Sequence, residues 1–120
     1  MAKILVVDDS PTEMAKFRDI LTRHQHVVIE AHTGEEGIQS AINHQPDIIL
    51  MDVVMPEING FQATRQITRN PATCHIPVVI ISTKGQETDR VWGKRQGAKD
   101  YLTKPITETQ LLDVIQTVMG

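Results

Sequence analysis

The stretch Ile48-Ile49-Leu50-Met51-Asp52 joins four consecutive apolar residues to an aspartate. A short run that is apolar throughout, rather than at every second position, predicts a strand covered on both faces. Such strands are typical of a parallel sheet that lies between two layers of helices. The runs at residues 4–7 and 78–81 have the same character, and each also ends at a polar residue. Together the three runs predict the interior of a parallel sheet.

Weaker apolar runs at residues 27–29 and 101–102 supply two more candidate strands, and helical signals fill the intervals. Four positions are predicted to be helix N-caps: Ser10, Thr33, Asn59 and Thr107. Glu13 has the spacing of a capping-box partner for Ser10, as Glu36 has for Thr33. The fourth helix is expected to begin near Thr83. The last helix is expected to bury Leu111, Leu112, Ile115, Val118 and Met119.

The resulting pattern is five strand-then-helix units, which predicts a doubly wound α/β fold with a five-stranded parallel sheet flanked by five helices. If the strand order is 2-1-3-4-5, the first and third strands are neighbours. The length of 120 residues suits one domain, spanning residues 1–120.

Composition narrows the functional classes. The net charge is −3 and the lysines and arginines are scattered, so no nucleic-acid surface is expected. Cys74 is the one cysteine, which excludes an internal disulfide and fits a reducing compartment. No apolar run is long enough to span a membrane. These features predict a soluble, cytoplasmic protein without membrane insertion.

Three carboxylates are predicted to meet at one edge of the sheet. Asp8 and Asp9 directly follow the first strand, and Asp52 directly follows the third. Ligands of open α/β sheets bind outside the carboxyl ends of the strands. Because three neighbouring carboxylates repel one another, a hard divalent cation with oxygen ligands is expected among them. Mg²⁺, which combines carboxylate and phosphate ligands, fits best.

Two further residues complete the predicted site. Ser82 follows the fourth strand and offers a hydroxyl donor, and Lys104 lies just beyond the fifth with a flexible positive charge. A metal, a point charge, a hydroxyl and a carboxylate nucleophile are the groups that phosphoryl transfer to an aspartate requires. Asp52 is the predicted acceptor.

Other interpretations remain open from the residues alone. A small Mg²⁺-dependent phosphatase with an aspartyl-phosphate intermediate would use similar groups. A flavodoxin-like cofactor binder would need a phosphate-binding loop after the first strand, where Asp8 and Asp9 stand instead. The five histidines have no zinc-site spacing.

Four segments together resemble the receiver domain of bacterial response regulators: Val6-Val7-Asp8-Asp9-Ser10, Asp52-Val53-Val54-Met55-Pro56 with Gly60, Ile81-Ser82, and Asp100-Tyr101-Leu102-Thr103-Lys104-Pro105. The resemblance covers the whole chain. It implies the flavodoxin-like fold with strand order 2-1-3-4-5. The segments 9–14, 60–66 and 86–98 carry a finer resemblance to single-domain regulators of type IV pilus twitching motility.

The resemblance implies a role for each site residue. Asp52 accepts a phosphoryl group from a histidine of a sensor kinase, and Ser82 and Lys104 contact that group. The implied Mg²⁺ ligands are Asp8, Asp9, Asp52 and the backbone carbonyl of Val54. Tyr101 is implied to act with Ser82 as a switch, its ring moving inward when the hydroxyl moves. The peptide bond before Pro105 is expected to be cis.

Departures from the commonest receiver pattern lie beside the acceptor. Ser82 stands where threonine is more frequent. Thr83 stands where a smaller residue is usual, and its side chain is expected to narrow access to the phosphoryl group. Val54 cannot orient an attacking water, so we expect slow hydrolysis of the phosphorylated form. Trp92 is interpreted either as packing on the sheet or, alternatively, as a partner contact on the face formed by the fourth helix, fifth strand and fifth helix.

The sequence therefore predicts a single-domain response regulator of a two-component phosphorelay. It is expected to catalyse its own phosphorylation rather than turn over a free substrate. A downstream protein is expected to bind the face just described, with control of twitching motility as the output. Another chemotaxis-like output, or a role as phosphate sink for a shared kinase, is the alternative.

Overall fold

The computed structural model describes all residues from Met1 to Gly120, in which strands and helices alternate along the chain. The strands are β1 (Lys3–Val7), β2 (Val27–Ala31), β3 (Ile48–Met51), β4 (Val78–Ser82) and β5 (Asp100–Thr103). The helices are α1 (Pro11–Arg23), α2 (Gly34–His44), α3 (Gly60–Arg69), α4 (Glu87–Arg95) and α5 (Glu108–Met119). None of these helices is long and apolar enough to cross a membrane.

All five strands are parallel and lie in the order β2-β1-β3-β4-β5, as the sequence predicts. The register pairs Val7 of β1 with Met51 of β3, so these two strands end side by side. Continuous apolar runs are buried on both faces in β1, β3 and β4. The apolar run of β2 is not covered in the same way, because β2 is an edge strand and its Val27 is 53% exposed.

Alternate residues along the central strands fill two separate cores. Ile4 and Val6 point to one face of the sheet, where α1 and α5 cover them. Leu5 and Val7 point to the other face and pack with residues of α2 and α3. This burial on both faces is the main source of the fold's stability, since apolar surface removed from water contributes about 25 cal/mol per Å².

Side-chain caps fix where four of the helices begin. Ser10 and Thr33 each accept a hydrogen bond from the backbone N–H three residues on. Asn59 and Thr107 do the same and form full capping boxes with the glutamine three residues on. Such caps typically contribute about 1 kcal/mol each.

Two sequence predictions on helix ends are wrong. Helix α4 begins at Glu87 rather than near Thr83, because Asp89 accepts a hydrogen bond from the Gln86 N–H at 3.2 Å and so sets the first turn. Met119 is not buried but 41% exposed, since it lies on the final turn of α5 beyond the edge of the core.

Candidate functional site

Three aspartates meet at the carboxyl ends of β1 and β3. Asp8 and Asp52 follow the paired residues Val7 and Met51, and one oxygen from each of Asp8, Asp9 and Asp52 lies within 4.8 Å of the others. Asp8 and Asp52 are buried, whereas Asp9 is exposed. The sequence prediction that these carboxylates converge is therefore matched by the geometry.

Gly60 shapes the loop that carries Asp52. Its N–H donates to the Val53 carbonyl at 2.9 Å, and a Cβ on Gly60 would lie 1.9 Å from the Asp52 carbonyl oxygen. No side chain fits at that distance, so only glycine lets α3 begin directly beneath the loop. The turn that results holds the Asp52 carboxylate at the end of the sheet.

Lys104 supplies the positive charge of the site. It follows β5, and its Nζ lies 2.9 Å from Asp8 Oδ2 and 3.4 Å from Asp52 Oδ1, with the side chain 8% exposed. Burial by itself lowers the pKa of Lys104, but the hydrogen bond to Asp8 and the charges of Asp52, Asp8 and Glu13 raise it overall. Lys104 therefore stays protonated. The peptide bond between Lys104 and Pro105 is cis, as expected.

Asp52 is held in an environment that disfavours its charge. Burial is the largest cause that raises the pKa of Asp52, and the Asp8 carboxylate raises it further. The charge of Lys104 and the hydrogen bond from the Val53 N–H lower it. The balance raises the pKa of Asp52 to about 6. A bound cation would favour the ionised form, which is the form that can act as a nucleophile.

The carboxylate cluster fits a Mg²⁺ ion. Asp8, Asp9 and Asp52 form the one group of three or more potential metal-ligating side chains in the chain, and all its donors are hard oxygens. The five histidines take no part in it. The residues that would hold the ion are these three aspartates. The contribution of the Val54 carbonyl stays a prediction; Val54 itself lies two residues after Asp52, with its side chain 56% exposed.

Ser82 and Tyr101 are joined through the backbone of Lys84. Ser82 is fully buried at the end of β4, and its Oγ accepts a hydrogen bond from the Lys84 N–H at 3.1 Å. Tyr101 is 1% exposed, and its hydroxyl donates to the Lys84 carbonyl at 2.5 Å. Burial is the main cause that raises the pKa of the Tyr101 phenol, so it remains a donor. The ring thus already lies inward while Ser82 Oγ is bonded to the Lys84 N–H, so the coupling of ring movement to the Ser82 hydroxyl stays a prediction.

Glu13 belongs to the site, which the sequence prediction missed. Its carboxylate lies 3.8 Å from Lys104 Nζ and makes no return bond to the Ser10 N–H, which donates to Asp8 Oδ1 at 2.9 Å instead. The predicted capping box on α1 is therefore half formed. The only sequence signal was the position of Glu13 in the first helical turn after Asp8. That position is compatible both with a capping box and with a place in the site.

Lys16 was also not predicted. It donates from Nζ to the Ile106 carbonyl at 2.9 Å and so ties α1 to the loop after β5. That loop carries Lys104, so Lys16 supports the position of the ammonium group. A lysine on the exposed side of a helix gives no sequence signal for such a long-range contact.

The structure corrects the predicted position of Trp92. On α4, Arg90 contacts the carbonyl and the ring of Tyr101 in β5, and Gly93 lies against the same ring. Trp92 instead lines a groove with residues of α3, on a different side of α4. At 100° per residue, it lies about 200° around the helix from Arg90. Trp92 is therefore not part of the α4–β5–α5 face.

The chain belongs to the response regulator receiver domain family, whose sequence profile matches residues 4–116. Among individual proteins, it is 57% identical to protein PilH of Pseudomonas aeruginosa, over all 120 residues of this chain and 99% of that protein. It is 38% identical to the response regulator PleD of Caulobacter vibrioides over 98% of this chain, which spans 26% of PleD.

Solved structures agree with the family assignment. The chemotaxis protein CheY4 of Vibrio cholerae superposes with a TM-score of 0.92 at 30% identity, over 98% of each chain. The receiver domain of the sensor histidine kinase PA1611 of Pseudomonas aeruginosa, with a magnesium ion in its active-site cleft, gives 0.92 at 28% identity over 99% of this chain and 98% of that one. A chain from the structure of the CheX–CheY complex of Borrelia burgdorferi with BeF3 and Mg²⁺ gives a TM-score of 0.92 at 27% identity, over 98% of this chain and 89% of that one.

Proposed function

We propose that this chain is a phosphoacceptor of a two-component phosphorelay, which takes a phosphoryl group from a histidine of a sensor kinase onto Asp52. The observation that carries the proposal is the placement of Asp52. It is a buried carboxylate beside Asp8 in a cluster suited to Mg²⁺, with the Lys104 ammonium 3.4 Å away. Membership of the receiver family supports the same role.

The transfer exchanges one bond for another. A carboxylate oxygen of Asp52 attacks the phosphorus, the N–P bond of the phosphohistidine breaks, and the histidine nitrogen leaves with the electron pair. Lys104 then faces an oxygen of the new acyl phosphate, and Ser82 can donate to a second one. Asp8, Asp9 and Asp52, with the Val54 carbonyl as a proposed further ligand, would hold a magnesium ion, which would supply charge neutralisation for the phosphoryl oxygens.

The output of phosphorylation is proposed to pass through Ser82 and Tyr101. If the Ser82 hydroxyl turns to the phosphoryl group, the Lys84 N–H loses its acceptor, and the Lys84 carbonyl that holds Tyr101 is disturbed. Tyr101 lies in β5 under Arg90 and Gly93 of α4. The α4–β5–α5 face is therefore the proposed binding surface for a downstream protein.

The proposed cellular role follows PilH. The identity of 57% over the whole chain supports a cytoplasmic regulator of type IV pilus twitching motility. Another chemotaxis-like output, or a phosphate sink for a shared kinase, is the second candidate. The chain is proposed to catalyse only its own phosphorylation and dephosphorylation, a role that membership of the receiver family supports.

The test is intact mass after incubation with acetyl phosphate and Mg²⁺. The wild type is expected to gain a single phosphate adduct that needs Mg²⁺ and is absent from Asp52→Asn. Asp113→Asn, an exposed site on α5, is the matched control and should be modified like the wild type. An adduct that persists in Asp52→Asn would refute the assignment of the acceptor.

A second measurement separates the acceptor from a true phosphatase. Release of inorganic phosphate from p-nitrophenyl phosphate is followed with Mg²⁺ present. A receiver is expected to release none beyond the amount that its own adduct accounts for. Continued turnover that Asp52→Asn abolishes would favour the phosphatase.

A further inference from the structure

A groove between α3 and α4 has no role in the proposed phosphotransfer. It has a volume of about 300 Å³ and is lined by Asn59, Phe61, Gln62, Arg65, Trp92 and Gln96. None of these residues belongs to the carboxylate cluster, and Trp92 lies on a different side of α4 from Arg90 and Gly93. The groove is therefore a surface separate from both the phosphoacceptor site and the α4–β5–α5 face.

Two aromatic rings give the groove its apolar character. Trp92 is 48% exposed although it is the one tryptophan of the chain, and Phe61 on α3 is half-buried. Tryptophan is among the residues that most often contribute large binding energies at protein interfaces. An exposed tryptophan in a concave site, rather than on a flat surface, can bury an apolar side chain of a partner.

The groove is also positively charged. Arg65 is exposed and makes no ion pair in the chain, whereas Arg18 and Arg23 are each paired with a carboxylate. Arg69 lies one helical turn further along α3, and Arg95 lies one turn after Trp92 on α4. Asp89 lies one turn before Trp92, where its carboxylate accepts the capping hydrogen bond from the Gln86 N–H, so the arginines outnumber the acidic groups around the groove. No carboxylate lines the groove. A cationic surface on a chain of net charge −3 selects for an acidic partner.

Hydrogen bonds hold both walls of the groove in place. Thr68 Oγ1 on α3 donates to the Gln96 carbonyl at 2.6 Å, which ties α3 to the end of α4. Asn59 and Gln62 are fixed by their reciprocal capping bonds, both 2.9 Å long. A preformed site loses less entropy on binding than one that must order its walls. The groove is therefore built to receive a ligand without rearrangement.

We propose that the α3–α4 groove binds a short acidic segment of a partner protein, with one large apolar side chain placed between Phe61 and Trp92 and a carboxylate facing Arg65. Nucleic acid is the less favoured occupant, because the net charge of −3 opposes a long polyanion. The proposal does not depend on phosphorylation of Asp52 and is tested on the unmodified chain.

The test uses a fluorescein-labelled amphipathic peptide with glutamates on its polar face and leucine and phenylalanine on its apolar face. Binding is followed by anisotropy, and Trp92, as the sole tryptophan, reports occupation of the groove through its emission. The companion probes are the same peptide with lysine in place of glutamate, the same peptide with serine in place of its apolar residues, and a short oligo-dT strand.

The acidic amphipathic peptide is expected to bind and change the Trp92 emission, and the three companion probes are not. Arg65→Glu is expected to weaken binding by about tenfold, and Trp92→Ala by at least as much, measured by anisotropy. Lys99→Glu is the matched charge reversal at an exposed position outside the groove and should change binding by less than about twofold.

Three outcomes would overturn the proposal. Equal weakening by Arg65→Glu and Lys99→Glu would mean attraction by overall charge. Binding without a change in Trp92 emission would place the peptide elsewhere. Preferential binding of oligo-dT would make the groove a nucleic-acid site. Far-ultraviolet circular dichroism of each variant shows that a loss of binding is not a loss of fold.

Discussion

Asp52 lies where its function and the stability of the chain have opposite requirements. The nucleophile must be ionised, yet burial and the neighbouring Asp8 raise its pKa to about 6. Lys104 offsets part of the repulsion from 3.4 Å away, and a cation would offset the rest. The site is therefore least favourable for folding when it is ionised and free of metal, which is a property that solution experiments can measure.

Replacing Asp52 with asparagine is expected to stabilise the metal-free chain above about pH 6. The folded state holds the Asp52 proton more tightly than the unfolded state, whose carboxyl has the ordinary value of 3.8. Ionisation therefore costs stability, fully above about pH 6 and not at all below about pH 4. We expect Asp52→Asn to raise the free energy of unfolding by on the order of 2 kcal/mol at pH 7.

Urea unfolding in EDTA at several pH values measures this difference. It should shrink as the pH falls from 6 towards 4, because the wild-type carboxyl then becomes neutral. The control Asp113→Asn, which alters an exposed carboxylate, should show no such trend. If the stability gained by Asp52→Asn stayed constant with pH, the buried charge of Asp52 would not be the cause of that gain.

Val54 is expected to slow the loss of the phosphoryl group. Its side chain is exposed beside Asp52 and has no polar atom to orient a water molecule. Val54→Asn should speed dephosphorylation roughly fivefold, the effect of one hydrogen bond worth about 1 kcal/mol in the transition state. The rate is read from the decay of the phosphate adduct by mass.

Val54→Leu provides the comparison for side-chain size, since leucine is close to asparagine in shape but apolar. It should leave the rate near that of the wild type. If leucine accelerated hydrolysis as much as asparagine does, side-chain polarity at this position would not be the controlling factor.

The packing of α4 on β5 depends on Gly93. In an exposed helix, alanine is more stable than glycine by about 1 kcal/mol. A Cβ on Gly93 would instead lie 2.8 Å from Tyr101 Cδ2 and 3.0 Å from Ile80 Cδ1. Gly93→Ala is therefore expected to destabilise the chain by about 1–3 kcal/mol in urea unfolding.

A double-mutant cycle identifies the cause of that loss. With Tyr101→Ala in the background, the ring no longer opposes the new methyl group, and the cost of Gly93→Ala should fall by at least about 1 kcal/mol. An unchanged cost in the two backgrounds would show that Gly93 does not make room for the inward Tyr101 ring.

The strands and most helix starts could be predicted because their signals are local. Continuous apolar runs marked β1, β3 and β4, and Asn59 and Thr107 marked the starts of α3 and α5. The start of α4 was missed because Asp89 sets it from inside the helix, where the sequence offers no distinct cap. The position of Trp92 was predicted wrongly because an apolar side chain indicates that a contact exists, but not which side of α4 carries that side chain.

The site could be predicted where its residues end strands, and less well where they do not. Asp8 and Asp52 meet, and Ser82 ends the next strand along, because parallel strands end at one edge of the sheet. Glu13 and Lys16 reach the site from α1, through contacts that span about ninety residues of sequence in each case. Helical side chains of this kind have two or more compatible partners, so the sequence alone does not select one.

Mg²⁺ is expected to stabilise the whole chain through the carboxylate cluster. A ligand at one hundred times its Kd raises the free energy of unfolding by about 2.7 kcal/mol if it binds only the folded state. Mg²⁺ should clearly raise the stability of the wild type and of Asp113→Asn. The increase should be smaller in Asp9→Asn, which removes the exposed carboxylate of the cluster. Thermal unfolding in MgCl2, against NaCl of equal ionic strength, measures it.

An equal rise in all three proteins would place the ion outside the cluster. The same would follow if NaCl stabilised the chain as much as MgCl2, because screening of surface charges would then explain the effect.

The most direct test of the acceptor is to locate the phosphoryl group chemically. The chain is phosphorylated with acetyl phosphate and Mg²⁺, treated with borohydride, which reduces an acyl phosphate of aspartate to homoserine, and sequenced by peptide mass spectrometry. Homoserine is predicted at position 52 alone. Homoserine at position 8 or 9, or a phosphate adduct that yields no homoserine, would contradict the assignment of Asp52 as the phosphoacceptor.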